Sequence, residues 1–139
     1  MQKVKDLMSS DVKVTSPDNT IEEAAQQMEE GNFGMLPVAA HGRMIGAISD
    51  RDIATRTVAK GLDPSTEVSE IMTKGIVTAF EDDSVAHAAK LMGDNKIRRL
   101  PILNANKHLV GIVALGDLAI ENSDVAVAGG ALSEISKAS

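Results

Sequence analysis

The sequence contains an internal repeat, and a repeat restricts the possible folds of a chain more than any other single feature. Residues 4–9, VKDLMS, recur 64 positions later as residues 68–73, VSEIMT. Gly46 and Gly111 form a later matching pair that is 65 positions apart, so one residue has been inserted in an intervening turn. The chain therefore consists of two copies of one supersecondary unit, the first and the second repeat.

Each repeat contains an amphipathic helix after its opening segment. Its apolar residues fall at positions i, i+3, i+4 and i+7, the spacing of one helix face; in the first repeat they are Ile21, Ala24, Ala25 and Met28. Thr20 and Glu23 have the spacing of a capping box at the helix start. Gly31 and Asn95 stand where the two helices are expected to end in a left-handed residue.

A β-hairpin is predicted after each of these helices, because two short apolar runs flank a polar turn. The runs span residues 35–40 and 44–48 in the first repeat, and residues 100–103 and 109–113 in the second. A second helix should follow each hairpin, from about Arg51 to Lys60 and from about Gly116 onward. Each repeat is thus predicted to be β-α-β-β-α.

The predicted class is α+β (α/β), with one domain at residues 1–62, a second at 63–122, and a short helix or tail at 123–139. A domain of about 60 residues buries only a modest fraction of its surface by itself. We therefore expect the two repeats to pack as one pseudo-symmetric body.

Composition excludes several classes of function. The net charge of −6 and the presence of only two aromatic residues, Phe33 and Phe80, disfavour nucleic-acid binding. The absence of cysteine excludes thiolate metal sites and is typical of a cytoplasmic protein. The most apolar stretch, residues 109–120, is too short for a membrane span and contains Asp117. The three histidines lack ligand spacing, so no metal site is predicted.

Ser49 and Asp52 form the sharpest local pattern, a hydroxyl and a carboxylate where a strand runs into a helix. Such a junction has free backbone amides, and a carboxylate there can accept two hydrogen bonds from a ribose diol. The same spacing is also that of a helix capping box. In the second repeat Ala114 replaces the serine whereas Asp117 remains, which favours a further role for the acid without deciding between the two readings.

A second pattern is the cationic run of Lys96, Arg98 and Arg99 in an otherwise acidic chain. The planar guanidinium matches phosphate oxygens well, although cations at a strand edge also discourage edge-to-edge pairing. The matching positions 33–35 of the first repeat carry no cation. No glycine-rich phosphate loop and no nucleophile-elbow motif is present, so we predict no enzymatic activity.

With these motifs the chain resembles a pair of CBS domains, the arrangement called a Bateman module. The resemblance rests on the paired openings DLMS and EIMT, on LPV and LPI, and on GAISDRDI and GIVALGDL. The resemblance covers residues 4 to about 120. The chain is similar in particular to stand-alone bacterial CBS-pair proteins, including those of Bacillus relatives. The resemblance implies two pseudo-symmetric clefts between the repeats, an adenosine-type ligand, and often a dimer of modules.

The resemblance also implies which residues contact a ligand. The first residue set would be Ser49, Asp52, Thr73, Val77, Ile97, Arg98 and Arg99. The second residue set would be Ala114, Asp117, Ser9, Val14, Phe33, Gly34 and Met35. The aspartate of each set would hold the ribose, and phosphates would meet groups just before the Leu-Pro dipeptide. Because the first set has the hydroxyl and the arginines, we expect the nucleotide there.

The expected function is a sensor of AMP, ADP, ATP or S-adenosylmethionine, with no cofactor and no catalytic role. The sequence does not choose among these ligands and does not identify a downstream partner. A homodimer is the assembly that the resemblance implies. The alternative is a ligand-independent module for oligomerisation or protein interaction, in which the same clefts serve only as an interface.

Overall fold

The computed structural model of the protein describes residues 2–121. Within that range the chain forms two compact units. The central unit is Lys13–Ile76, and the split unit combines residues 2–12 with residues 77–121. The short helix or tail predicted at 123–139 lies outside the described residues.

In the central unit, one helix precedes a β-hairpin in the sequence and a second helix follows it. Its elements are α1 (Ile21–Gly31), β1 (Met35–Ala40), β2 (Arg43–Ser49) and α2 (Asp50–Arg56), with 3-10 turns at Val58–Lys60 and Val68–Glu70. Strands β1 and β2 are antiparallel, and the His41-Gly42 turn between them has a positive φ at both residues. The leading strand of the predicted unit is reduced to a parallel bridge between Thr15 and Val38.

The split unit repeats this order. Its elements are a 3-10 turn at Val4–Asp6, β3 (Ala79–Phe80), α3 (Val85–Asn95), β4 (Arg99–Leu103), β5 (Leu109–Ala114) and α4 (Leu115–Glu121). Strand β3 pairs with β4 in parallel, and β4 pairs with β5 in antiparallel orientation. Helices combined with antiparallel hairpins confirm the predicted α+β class.

The first segments of the two repeats are exchanged between the compact units. Residues 2–12 open the first repeat but belong to the split unit, which holds the rest of the second repeat. Residues 68–73 open the second repeat but belong to the central unit. The sequence repeat and the compact units therefore divide the chain differently, although both give two halves.

Helices α1 and α3 end at the predicted glycine and asparagine, but in each case the left-handed residue is the next one along the chain. The left-handed residues are Asn32, with φ of 55°, and Lys96, with φ of 56°. The amide of Phe33 donates to Met28 O at 3.1 Å, the bond that closes a Schellman motif. The prediction of Gly31 at this position was wrong because Gly31 is still helical and accommodates the Phe33 ring: a Cβ on it would lie 1.9 Å from Phe33 Cε1.

Each unit has its own aliphatic core, as the near absence of aromatic residues requires. The core of the central unit is formed by Ile21, Ala24, Met28, Leu36, Val38, Ile48, Val68 and Ile71. The largest fully buried side chains of the split unit are Met92, Leu100, Ile102 and Leu118. None of the helices within residues 2–121 has the length and apolarity needed to cross a membrane.

Candidate functional site

The junction of β2 and α2 carries the hydroxyl and the carboxylate that the sequence singled out. Ser49 is the N-cap of α2, and its Oγ accepts a hydrogen bond from the Asp52 amide at 3.0 Å. Asp52 Oδ2 accepts in return from the Ser49 amide at 3.0 Å. The capping box is therefore formed, and it occupies one carboxylate oxygen. Asp52 keeps 17% of its side chain exposed, so Oδ1 remains the oxygen with capacity for another donor.

The matching junction of β5 and α4 keeps half of this box. Asp117 Oδ2 accepts a hydrogen bond from the Ala114 amide at 2.9 Å. Ala114 has no hydroxyl that could accept a hydrogen bond from the Asp117 amide. The partner of the acid is thus a backbone amide, which any residue except proline supplies. The retention of Asp117 opposite Ala114 is accounted for by capping, and it gives no independent support for a ligand role.

Arg56 connects Asp52 to a distant part of the central unit. Its Nε lies 3.7 Å from Asp52 Oδ1, one helical turn away, and its Nη1 donates to the carbonyl of Ile71 at 3.0 Å. Arg56 is not among the residues predicted from the sequence. Its signal was the i,i+4 spacing of opposite charges, a common stabilising pair on helices. The matching sequence position in the second repeat is Glu121, which has the opposite charge.

Thr73 is placed beside β2 by two backbone hydrogen bonds. Its amide donates to Ala47 O at 2.8 Å, and the Ala47 amide donates to Thr73 O at 3.0 Å. Gly46 allows this approach, because a Cβ there would lie 2.8 Å from Thr73 O. Segment 71–73 is consequently fixed against the strand that ends at Ser49. Three members of the first residue set, Ser49, Asp52 and Thr73, thus belong to one continuous part of the central unit.

The same hairpin also carries two members of the second residue set. Met35 is paired with Ser49 across β1 and β2, and the Gly34 carbonyl accepts a hydrogen bond from the Asp50 amide at 2.9 Å.

The other two members in the central unit are Phe33 and Val14. Phe33 lines a cleft of about 190 Å³ together with Lys13, Gln27, Glu30 and Gly31. Val14 is 38% exposed, and its carbonyl accepts a hydrogen bond from the Gln27 side chain at 3.0 Å.

The remaining members of both sets belong to the split unit. Arg99 is paired with Ala114 across β4 and β5, and the Arg98 carbonyl accepts the Leu115 amide at 2.9 Å. Arg98 precedes β4 and is exposed, whereas Arg99 is the first residue of β4 and is half-buried. Val77 and Ile97 are partly buried against the core of this unit.

Ser9 is the counterpart of Thr73 in the split unit. Its amide donates to Ile112 O at 2.8 Å, and the Ile112 amide donates to Ser9 O at 2.9 Å. Gly111 has the role of Gly46 here, since a Cβ on it would lie 2.4 Å from Met8 Sδ and 3.0 Å from Ser9 O. The Met-Ser and Met-Thr dipeptides of the repeat openings therefore correspond to a docking motif. Across residues 2–121, acidic and histidine side chains do not cluster into a group able to hold a metal ion.

Residues 4–58 and 68–123 both match the CBS domain family. The CBS domain-containing protein YhcV of Bacillus subtilis is 47% identical over 136 residues, which cover 98% of this chain and 96% of that protein.

Two solved structures extend the comparison. Hypoxic Response Protein I, crystallised with two coordinated zinc ions, has a TM-score of 0.78 and 32% identity, covering 85% of this chain and 97% of its own. The CBS domain pair of protein MJ0100, in complex with 5′-methylthioadenosine and S-adenosyl-L-methionine, has a TM-score of 0.72 and 33% identity, covering 86% and 94% of the two chains.

Proposed function

The chain belongs to the CBS-domain family, and from this premise we propose that it is a regulatory sensor that binds an adenosine-type ligand and has no catalytic activity. The observation that carries the proposal is the likeness to the MJ0100 domain pair, which is 33% identical and is described with two adenosyl compounds. The ligand of this chain is then AMP, ADP, ATP or S-adenosylmethionine. A homodimer and a cytoplasmic location complete the proposal.

The ribose is assigned to Asp52. Its Oδ2 is used by the Ser49 amide, while Oδ1 has a partner only in the 3.7 Å ion pair with Arg56 among the described residues. A carboxylate oxygen has two lone pairs, so Oδ1 can accept hydroxyl protons of a ribose while the cap stays intact. The half-buried Thr73 lies on the strand side of the same junction and supplies a further hydroxyl.

The phosphate end is assigned to Arg98 and Arg99. Arginine forms charge-assisted hydrogen bonds to phosphate that are about twice as strong as neutral ones. Val77 and Ile97 would provide aliphatic contacts to the base in the same residue set. The second residue set lacks a hydroxyl at Ala114, so we assign to it a less charged adenosyl compound or no ligand.

A ligand-independent interaction module is the second candidate function. The observation that favours it is the completed capping box, because Ser49 and Asp52 satisfy each other's backbone amides without any ligand. In that case the junction only terminates a helix, and the paired repeats serve assembly.

A thermal-shift titration separates the two candidates. The purified protein is heated with AMP, ADP, ATP, S-adenosylmethionine and the guanine nucleotides, after mass spectrometry of the denatured protein has excluded a bound ligand. A ligand at about 100 times its Kd stabilises the native state by about 2.7 kcal/mol. The sensor proposal expects such a shift with an adenosyl compound and not with guanine nucleotides.

Variants locate the binding. Asp52→Asn keeps an oxygen for the Ser49 amide but removes the charge, so helix capping is preserved while ribose binding weakens. Arg98→Ala removes the exposed arginine. Both variants should lose the shift while unfolding close to the wild-type temperature. An absence of any shift with every adenosyl compound would reject the sensor and favour the interaction module.

A further inference from the structure

Arg56 contacts two elements that the proposed function uses. Its guanidinium lies 3.7 Å from Asp52 Oδ1 and donates to Ile71 O at 3.0 Å. Ile71 is buried in the core of the central unit, and two residues later Thr73 is bonded to Ala47. One side chain thus bridges the proposed ribose carboxylate and the main chain that carries the proposed hydroxyl.

We infer that Arg56 is a positioning residue that couples ligand occupancy at Asp52 to the docking of segment 71–73, an inference that rests on the proposed function for its ligand. The carboxylate holds the guanidinium at one end, and the guanidinium holds the Ile71 carbonyl at the other. A ligand bound at Asp52 excludes water from the ion pair of Asp52 and Arg56, whose side chains are 17% and 48% exposed, respectively. Lower local dielectric strengthens an ion pair, so the bound state holds segment 71–73 more firmly.

This coupling is built into only one repeat. The position that matches Arg56 in the second repeat is occupied by Glu121, and Ala114 replaces the N-cap hydroxyl there. The second repeat therefore lacks the arginine on which the coupling depends. The two halves therefore differ in how a ligand signal is transmitted as well as in ligand chemistry.

Amide hydrogen exchange tests the link without any ligand. In Arg56→Gln, exchange at the Thr73 and Ala47 amides should accelerate about five-fold to ten-fold, whereas the Ser9 and Ile112 amides serve as unchanged references in the split unit. Arg51→Gln is the matched control. Arg51 is an exposed arginine of the same helix, and it forms no ion pair with the other described residues. Equal Thr73 exchange in the two variants would overturn the inference.

A double-variant comparison separates coupling from simple support. Asp52→Asn should accelerate Thr73 exchange in the presence of Arg56 but cause no further acceleration in Arg56→Gln, because linked residues give non-additive effects. An arginine that merely supported Ile71 would be indifferent to Asp52, and additive effects would overturn the inference. Arg56→Lys keeps the charge near Asp52 but loses the fork that reaches Ile71, so it should behave like Arg56→Gln in exchange.

AMP provides the ligand readout. In the wild type, saturating AMP should slow Thr73 exchange further, and in Arg56→Gln bound AMP should leave it unchanged. Slowing of the same size in both proteins would reject the coupling while leaving the sensor intact. If no adenosyl compound binds the wild type, the sensor proposal and the ligand coupling fail together, and the unliganded exchange still decides whether Arg56 links Asp52 to segment 71–73.

Discussion

Replacing Gly46 by alanine should weaken the docking of segment 71–73 on β2. A Cβ at this position would lie 2.8 Å from the Thr73 carbonyl oxygen and 3.0 Å from Met72 Sδ. The methionine side chain can turn away, but the carbonyl belongs to a backbone held by two hydrogen bonds to Ala47. Either the strand or the segment must move, and the geometry of those bonds is disturbed.

The cost follows from two contributions. Overpacking a close contact typically costs about 1–3 kcal/mol, and a disturbed backbone hydrogen bond adds about 1 kcal/mol. We expect the free energy of unfolding to fall by about 2–4 kcal/mol. For a chain of this length, at about 4 °C per kcal/mol, Tm should fall by about 8–16 °C. Gly111→Ala should cost less, because its closest contact is the flexible Met8 side chain and Ser9 O is 3.0 Å away.

Urea denaturation and calorimetry measure the loss, and exchange at the Thr73 amide localises it. Gly116→Ala is the control, since a Cβ there would meet no described atom within 4 Å and alanine is favoured over glycine in a helix by about 1 kcal/mol. That variant should be as stable as the wild type or slightly more stable. A Gly46→Ala protein with wild-type stability and a protected Thr73 amide would refute the close approach of Thr73 to β2.

Three further predictions concern single groups. The hydrogen bond from Lys5 lowers the pKa of Asp82 and raises the pKa of Lys5. This exposed pair should therefore stabilise the fold between about pH 5 and 9, and the stabilisation should be lost as pH falls through the pKa of Asp82 or rises through the pKa of Lys5. The small difference in Tm between the wild type and Asp82→Asn should vanish at pH 2 and in high salt. Lys96→Asn should raise the free energy of unfolding by up to about 1 kcal/mol in urea titrations, because asparagine tolerates the left-handed conformation; no gain would argue that Lys96 is not left-handed. Ser49→Ala should cost about 1 kcal/mol in the same titrations, since half of the capping box is lost, and an unchanged midpoint would count against that box.

Local sequence signals determined the elements of each repeat. The hairpin runs and the helix faces follow from short-range periodicity and turn residues, and β1 begins and ends where the sequence predicts it. The capping box of Thr20 and Glu23 is formed as its spacing predicts. Even the difference in chemistry between Ser49 and Ala114 is visible in the sequence, because the repeat provides an internal comparison.

Tertiary structure decided what these elements meet. Periodicity describes neighbours along the chain, whereas the bond from Arg56 to Ile71 joins residues 15 positions apart. The exchange of the opening segments between the compact units likewise depends on which strand each segment docks against. Gly46 is required because another part of the backbone approaches its Cα, not because of its own φ. Such contacts depend on packing between backbone segments that are distant in the sequence, so a local sequence pattern does not predict them.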